Sequence, residues 1–351
     1  MEFHEIKPLE DCRWGALLLR HPRSSVFHTR PWMETLRKTY GYEPLAFTTS
    51  PADTALQNGL LLCRVNSSLT GRRLVSLPFS DHCEPLVDSS ADLSTLILAA
   101  EQQLHEDKVR YVELRPISAA LDGAHSLFRS TYSSCLHQLD LRPDLDAIYN
   151  NCHKSTRRNI RRAQREGVKY EDGRSMSLLD AFFRMYVSTR RRHKAPPQPK
   201  SWFINLITSF GEALKIRVAY HHGRAIAAIL TLHFRNTVTY KYSCSDQHFN
   251  NLGATHFLIW KTIEEAKQEG LRVLDLGRSE CSNKGLVEFK NRFGSTPSTL
   301  IYSRLTRTAN SRERYESRNG NWGKRIARAV ASKMPERVFC TLGSLTYKHI
   351  G

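Results

Sequence analysis

The densest chemistry in this chain lies between Leu274 and Gly294, where Asp275, Gly277, Arg278, Ser279, Cys281 and Asn283 precede Phe289, Lys290, Phe293 and Gly294. The pattern predicts a short strand, Val273 to Leu276, a loop through Gly277, Arg278, Ser279 and Asn283, and then a helical turn. Permissive backbone, a fixed guanidinium, and hydroxyl and amide side chains together suit an anionic or acyl group. Lys290, set between Phe289 and Phe293, is expected to be partly desolvated. There it would stabilise a tetrahedral oxyanion or a phosphate as a point charge; the bland alternative is a surface lysine on an amphipathic helix. Asp275 would orient Arg278 or act as base toward an attacking amine, against the commoner use of a strand-end Asp as a turn residue.

Other residues carry chemistry elsewhere. Tyr240-Lys241-Tyr242 falls on an expected strand, where alternation puts Lys241 opposite the two tyrosines, so that either Lys241 or the Tyr240 and Tyr242 pair faces a site. Asn250-Asn251-Leu252-Gly253-Ala254 leads into a helix whose unpaired N–H groups favour anions, which makes Asn251, Gly253 and Ala254 candidates for a donor phosphate. Gly253 as a plain turn glycine is the equal alternative. Arg190, Arg192 and His193 precede Pro196-Pro197. Arginine forks there would recognise carboxylate or phosphate, with His193 as a base titrating near neutrality; a solvated helix C-terminus explains the same run. Arg157, Arg158, Arg161, Arg162 and Arg165 coat one expected helix. No aromatic residues interleave with them for base stacking.

The elements that must position these residues read as α+β. In the first half a helix starts near Pro31 after Thr29 and ends before Gly41. Strands are expected over 60–65, 74–77, 109–114 and 134–139, with a helix over 92–105. In the second half helices are expected over 155–166, after a Ser177-x-x-Asp180 capping box, after Ser201, and over 255–269. Strands are expected over 214–220, 225–234, 237–242, 273–276 and 299–304, with Ile226, Ala228, Leu230, Leu232 and Phe234 on one buried face. The first half repeats the same order in shorter form, which suggests a structural duplication without a sequence repeat. The boundaries predict domains at 1–145 and 146–305 and a basic tail at 306–351.

Composition sets further bounds. The formal net charge is +18. Residues 1–145 hold 15 Lys/Arg against 18 Asp/Glu, whereas residues 146–351 hold 37 against 16, so the second half is the one expected to meet a polyanion. In the tail, Trp322, Ile326, Val330 and Met334 recur every four residues among lysines and arginines. That stripe would lie on an anionic membrane or dock on the body. No apolar run of membrane-spanning length occurs, and the N-terminus has no secretory pattern, so a cytoplasmic protein is expected, with its tail against the inner face of the membrane. The eight cysteines show no zinc spacing and no metal is expected; they read as reduced structural thiols, with Cys281 the one placed to react.

These pieces, in order, resemble the acyl-CoA N-acyltransferase (GNAT) superfamily, and more closely its FemAB-like branch. The resemblance rests on Val26-Phe27-His28-Thr29 with Trp32, Ser76-Leu77-Pro78-Phe79-Ser80-Asp81 and Glu113-Leu114-Arg115. In the second half it rests on Arg157-Arg158-Asn159-Ile160-Arg161, Tyr240-Lys241-Tyr242, Leu252-Gly253-Ala254, Asp275-Leu276-Gly277-Arg278 and Phe289-Lys290 with Phe293-Gly294. It implies two tandem GNAT-like domains, each a largely antiparallel mixed sheet flanked by helices, with one working cleft. It further implies a transferase moving an acyl or aminoacyl group from an activated donor to an amine of a polysaccharide or peptidoglycan precursor. Catalysis would fall to Lys290, Asp275 and Lys241, and substrate contacts to Tyr242, Arg278, Ser279, Asn283, Phe289, Arg190 and His193. Acyl-CoA is the expected donor. The helical hairpin by which the peptide-bridge members grip tRNA is missing here, which disfavours tRNA. A non-catalytic nucleic-acid or membrane-binding protein, or a degenerate transferase scaffold, is the alternative.

Overall fold

The computed structural model describes residues 2–106, 109–117, 128–306 and 334–350. Two compact units emerge. The first comprises residues 1–133, 299–330 and 341–351; the second comprises residues 134–298 and 331–340. The break therefore falls between Ser133 and Ser134 rather than near residue 145. The strand expected over 134–139 belongs to the second unit, and the strand beginning near Thr299 belongs to the first. A single linear boundary cannot express this division, because the first unit takes its sixth strand from beyond the second unit's stretch of sequence.

The first unit orders its strands as β1 (His4–Ile6), β2 (Glu43–Thr48), β3 (Leu60–Val65), β4 (Arg73–Val75), β5 (Tyr111–Leu114) and the late strand Thr296–Thr306. All neighbours are antiparallel except β4 and β5, which run parallel through Leu74↔Val112 and Val75↔Glu113. Helices α1 (Arg13–Arg20), α2 (Arg30–Tyr40) and α3 (Ser90–Glu106) flank it, and residues 341–350 of a C-terminal helix (Glu336–Ile350) also belong to it. α2 ends as expected at Gly41, in the left-handed conformation that closes helices. α3 buries Leu93, Leu96, Ile97, Ala100 and Leu104 against Leu45, Leu62 and Val112 of the sheet.

The motif Glu113-Leu114-Arg115 is structural. Glu113 is buried between Arg115, at 2.8 Å, and Arg304, at 2.6 Å. Burial pushes its carboxyl up, but the two guanidiniums outweigh burial and hold it below the usual range. Arg115 also donates to the carbonyls of Leu77 and Ser80. Those bonds fix a turn in which Leu77 and Phe79, neither of them glycine, sit at positive φ.

The second unit orders β6 (Arg129–Asp140), β11 (Val273–Glu280), β10 (Thr237–Ser245), β9 (Arg224–Phe234), β8 (Leu214–His221) and β7 (Lys169–Gly173). Again one pair is parallel, β10 with β11, and the others are antiparallel. Its helices are α4 (Leu145–Asn151), α5 (Lys154–Arg165), α6 (Met176–Arg192), α7 (Lys200–Phe210), α8 (Ala254–Gln268) and α9 (Lys284–Asn291). The duplication inferred from element order is thus visible as a shared strand order with the parallel pair in the same place.

β9 was expected to bury one face, but Ala227 and Ile229 are buried as fully as Ala228, Leu230 and Leu232. Ala227 and Ile229 pack with α5 and α8 through Ala163, Phe257 and Leu258. α6 packs against the same strands with Phe182 and Tyr186, which meet Phe203 of α7. A strand covered on both faces loses the alternation that marks a half-exposed one. α6 starts two residues earlier than the Ser177-x-x-Asp180 pattern suggests, because Ser175 accepts the Leu178 amide and is the cap. Of the tail stripe, Trp322, Ile326 and Val330 lie outside the described residues. Met334 packs beside Val187 and Phe339, with its carbonyl held by Arg191.

Gly253, at φ +72, joins a 3-10 turn (Gln247–Leu252) to α8, and a Cβ there would lie 2.4 Å from the Asn159 carbonyl oxygen of α5. Backbone approach this close admits no side chain. Gly253→Ala is expected to destabilise the fold by at least about 2 kcal/mol, read as a lowered urea midpoint with unchanged slope, whereas Gly167→Ala, with open space around it, is expected to cost less.

Candidate active site

The site follows from where the parallel ladder stops. β10 and β11 pair only through Thr237↔Val273, Val238↔Leu274 and Thr239↔Asp275. Beyond that point each strand shifts register against its other neighbour: β10 at Tyr240/Tyr242 against β9, and β11 between Asp275 and Arg278 against β6. β10 then stays with β9 to Ser245, and β11 with β6 to Glu280. Two parallel strands that part at their C-terminal ends leave an opening between them, the usual seat of ligands in such sheets. Tyr240-Lys241-Tyr242 border one side of it and Leu276-Gly277-Arg278 the other.

The expected loop at Gly277-Arg278-Ser279 is therefore strand. Gly277 takes φ +70, and the chain re-enters the ladder through Arg278↔Leu136, Ser279↔Cys135 and Glu280↔Ser134. A glycine bulge restores pairing one register on, which sequence alternation alone does not reveal. Asp275, buried, accepts the Gly277 amide at 2.7 Å and so shapes the bulge.

Lys290 is the side chain that the bulge organises. Although charged, it is only 3% exposed, and its Nζ donates to the carbonyls of Gly277, at 2.8 Å, and Arg278, at 3.0 Å. An ammonium can be buried only when its protons find acceptors, and here the bulge supplies two of them. Phe289 and Phe293 do not sandwich the lysine. They lie four residues apart on one face of the segment and close on His256, in an edge contact at 5.0 Å and a stacked one at 5.7 Å. Lys290, about 100° round the helix from Phe289, turns to β11 instead.

The remaining expected residues divide into groups. Arg278 is exposed at the strand edge, and Ser279 is buried with no partner for its hydroxyl among the described residues. Asn283 caps α9 by accepting the Leu286 amide. Tyr242 donates to Gln198 at 2.7 Å and accepts from Trp202 at 2.8 Å, which ties β10 to α7. Lys241 lies 5.9 Å from the Tyr242 ring. Asn251 is exposed and Ala254 buried, and with Gly253 they lie under α5. Gly253 thus packs against the Asn159 carbonyl of α5, which accounts for this glycine.

Arg190 and His193 sit at the far end of α6. Arg190 donates to its own loop at the Pro196 carbonyl, and Arg192 to the Ser245 carbonyl. The His193 imidazole is pushed below its usual pKa by burial and then by Arg192 and Arg190. Beside them opens a cavity of about 940 Å³, lined by Arg184, Arg191 and Arg192 from α6, by Lys194 just beyond it, and by Arg224, Ser245 and Asp246 from the strand ends. Its carboxylate, Asp246, is already paired with Arg224 at 2.7 Å. The volume suits a nucleotide-sized ligand, and the lining suits phosphate.

Three features left no readable signal. Arg184 and Arg224 are too far apart in sequence to read as partners. His137 is fully buried on β6, with Nε2 at 3.1 Å from Asn291 Oδ1 of α9, next to Lys290 in both sequence and space. Burial and the Lys290 charge lower its pKa. His256, which reaches Asn159 at 3.3 Å, is pushed down to about 4 by burial and by Arg292. Among the described residues no group of three or more His, Cys, Asp or Glu side chains could hold a metal, and no helix is long and apolar enough to cross a membrane.

A mixed sheet whose one parallel pair splays at its C-terminal ends, flanked by helices and built twice, is the tandem GNAT fold, as the sequence led us to expect. Residues 150–291 match the family model described as acetyltransferase (GNAT) domain. A crystal structure of FemX superimposes with a TM-score of 0.67 at 13% identity, over 86% of this chain and 97% of that one. A tandem GNAT protein from the clavulanic acid biosynthesis pathway gives 0.55 at 11% identity, over 87% and 98%. In sequence, the chain is 27% identical over 154 residues to a UDP-N-acetylmuramoylpentapeptide-lysine N(6)-alanyltransferase of Weissella viridescens, a match covering 43% of this chain. That match spans about half the length of the relative, 46%. The FemAB-like resemblance is borne out.

Lys290→Met is expected to lower stability by about 2 kcal/mol or more, since it leaves two buried carbonyls without donors, and to speed amide exchange across β11 and α9. His256 gives a pH signature. Its folded pKa of about 4 lies below the unfolded value of about 6.5, so the unfolded state binds the proton more tightly. Its contribution is therefore complete above pH 6.5 and is lost as pH falls toward 4. Denaturant midpoints measured across that window should fall for the wild type and fall less for His256→Phe.

Proposed function

We propose that the chain is an aminoacyl or acyl transferase, which moves an activated acyl group onto an amine of a phosphate-bearing cell-envelope precursor, with the chemistry in the opening between β10 and β11. The observation that carries this reading is the buried Lys290 ammonium, fixed beneath the bulge at the point where the strands part. An amine attacks the donor carbonyl, a C–N bond forms, and the ester or thioester C–O or C–S bond breaks as the tetrahedral oxyanion collapses. Lys290 stabilises that developing negative charge from a fixed position, which removes the cost of reorganising water around it. Asp275, engaged by the Gly277 amide, shapes the bulge in this scheme and is not the base. The amine therefore loses its proton to solvent, and the rate rises with pH toward the amine's own pKa.

Arg278 and Lys241, on the two rims, serve to orient substrate, with Ser279, Phe289 and Asn283 forming the β11–α9 side. The arginine-lined cavity at the end of α6, with Arg190 and His193 beside it, takes the phosphates of the precursor. The donor we favour is an aminoacyl ester rather than acyl-CoA. The one glycine expected to mark a CoA diphosphate is accounted for by its packing against the Asn159 carbonyl, and the relative's name is that of an alanyltransferase. The exposed cations of α5, Lys154, Arg158, Arg161 and Arg165, offer a surface to a polyanionic donor carrier such as tRNA.

The test is transfer of labelled amino acid from aminoacyl-tRNA, and of labelled acetyl from acetyl-CoA, to a UDP-linked muramoyl pentapeptide. Transfer from the first is expected, rising between about pH 6 and 9. Arg192→Glu with Arg224→Glu is expected to raise the KM for the UDP-linked acceptor at least about tenfold with a smaller change in kcat. Acetyl transfer alone would overturn the donor assignment. Retention of radiolabelled RNA without transfer from either donor would return the chain to a binding role.

A further inference from the structure

Cys135 of β6 and Cys281, the first residue beyond β11, bring their sulfurs to 3.2 Å of each other as free thiols. The register accounts for this approach. Ser279 faces Cys135 across the antiparallel pair and Glu280 faces Ser134, so Cys281 leaves the strand diagonally adjacent to Cys135. Diagonal neighbours on one sheet face are within reach of each other, and Cys281 has left the ladder, so its backbone can move the further ångström or so that a disulfide of about 2.05 Å requires. Two residues on, Asn283 caps α9, the helix that carries Lys290. The thiol pair thus sits across the only turn that joins β11 to that helix.

Of the other six cysteines, Cys12 is exposed and Cys340 half-buried. Cys63, Cys83, Cys152 and Cys244 are buried, and burial pushes their thiols up, Cys152 to about 11. Cys281 is exposed and Cys135 half-buried, so the pair has one sulfur open to solvent and one immediately behind it. An exposed thiol backed by a second within contact is the arrangement of a reacting and a resolving cysteine.

We propose that Cys135 and Cys281 form a reversible disulfide under peroxide, which locks the β11–α9 turn and so regulates the Lys290 site. In the first step the Cys281 thiol gives up two electrons to hydrogen peroxide, yielding the sulfenic acid and one water. In the second, Cys135 sulfur attacks the sulfenic sulfur, the S–S bond forms, and a second water leaves with the thiol proton. A thiol reductant restores both thiols. The regulatory part rests on the proposed transferase reading; the disulfide itself does not.

The experiment uses the full chain with millimolar hydrogen peroxide, then dithiothreitol. Peptide mass spectrometry is expected to find the segments holding Cys135 and Cys281 joined, with a loss of two hydrogens. Hydrogen exchange of residues 277–291 is expected to slow at least about threefold on oxidation and to recover on reduction. Transfer activity is expected to fall at least about fivefold and recover likewise, and Cys135→Ser is expected to abolish both responses to oxidation. Oxidation of Cys281 to sulfinic acid without cross-linking, or cross-linking of Cys281 to any other cysteine, would overturn the proposal. A cross-link and slowed exchange with unchanged activity would keep the disulfide and overturn its regulatory role. If no donor supports transfer, cross-linking and exchange still decide whether the turn is locked, while the transferase reading fails separately.

Discussion

A buried ammonium bonded to two backbone carbonyls is what the second unit's site depends on. Gly277 and Arg278 belong to a bulge, and a bulge releases backbone groups from the ladder. Carbonyls released inside a protein must be paired again, at a cost of about 1–3 kcal/mol each if they are not. Lys290 pairs both. The dependence is mutual, since the lysine could not be buried without acceptors and the bulge could not persist without donors. One constraint thereby fixes the edge of β11, the orientation of α9 and a positive charge beside the opening.

The duplicated units differ in what lies beyond their parallel pairs. Both contain a single parallel pair in the same place in the strand order. In the first, the space beyond β4 and β5 is closed by the unit's own chain. The Ser76 amide donates to the Glu113 carbonyl, Arg115 holds the carbonyls of Leu77 and Ser80, and Cys83 bridges to Arg115. Keeping Leu77 and Phe79 at positive φ costs on the order of 1–3 kcal/mol each, and the buried Glu113–Arg115–Arg304 cluster offsets that strain. In the second unit the strands part and, among the described residues, nothing equivalent joins them, so the same architecture yields a plug in one copy and an opening in the other.

Much of this could be read from the sequence wherever one residue type sufficed. Gly41, Gly223 and Pro31 mark their turns and helix ends, and the run of elements gave the fold class. Lys290 stands out in the sequence for its aromatic neighbours; in the structure it bonds the bulge, whereas Phe289 and Phe293 close on His256. What could not be read depends on pairs distant in sequence. The bulge at Gly277 appears only once β6 supplies a register. The contact of Gly253 with Asn159 needs α5 laid against α8, and the division at Ser134 and Thr299 has no local marker. His137 looks like any strand histidine until Asn291 arrives from α9. In each case the deciding neighbour lies in another element, and periodicity carries information about one element at a time.

The excess positive charge of the second half also resolves into distinct roles. Part of it is paired: Arg217 and Lys215 share Glu265, and Arg174 meets Glu212. Burial without full compensation lowers the Arg217 pKa to about 10, a measure of how far that guanidinium is from water. The cations around the α6 cavity are placed differently. They gather at a helix C-terminus, where the macrodipole is negative and favours them but works against any anion. At the start of α8, where the dipole would draw an anion in, Gly253 packs against the Asn159 carbonyl. In the proposed function, anion recognition by this unit falls to side-chain guanidiniums, which bind phosphate by number and geometry and are screened by salt. A site of that kind tolerates the loss of one arginine better than a phosphate loop tolerates the loss of its glycine, because no single backbone conformation carries it.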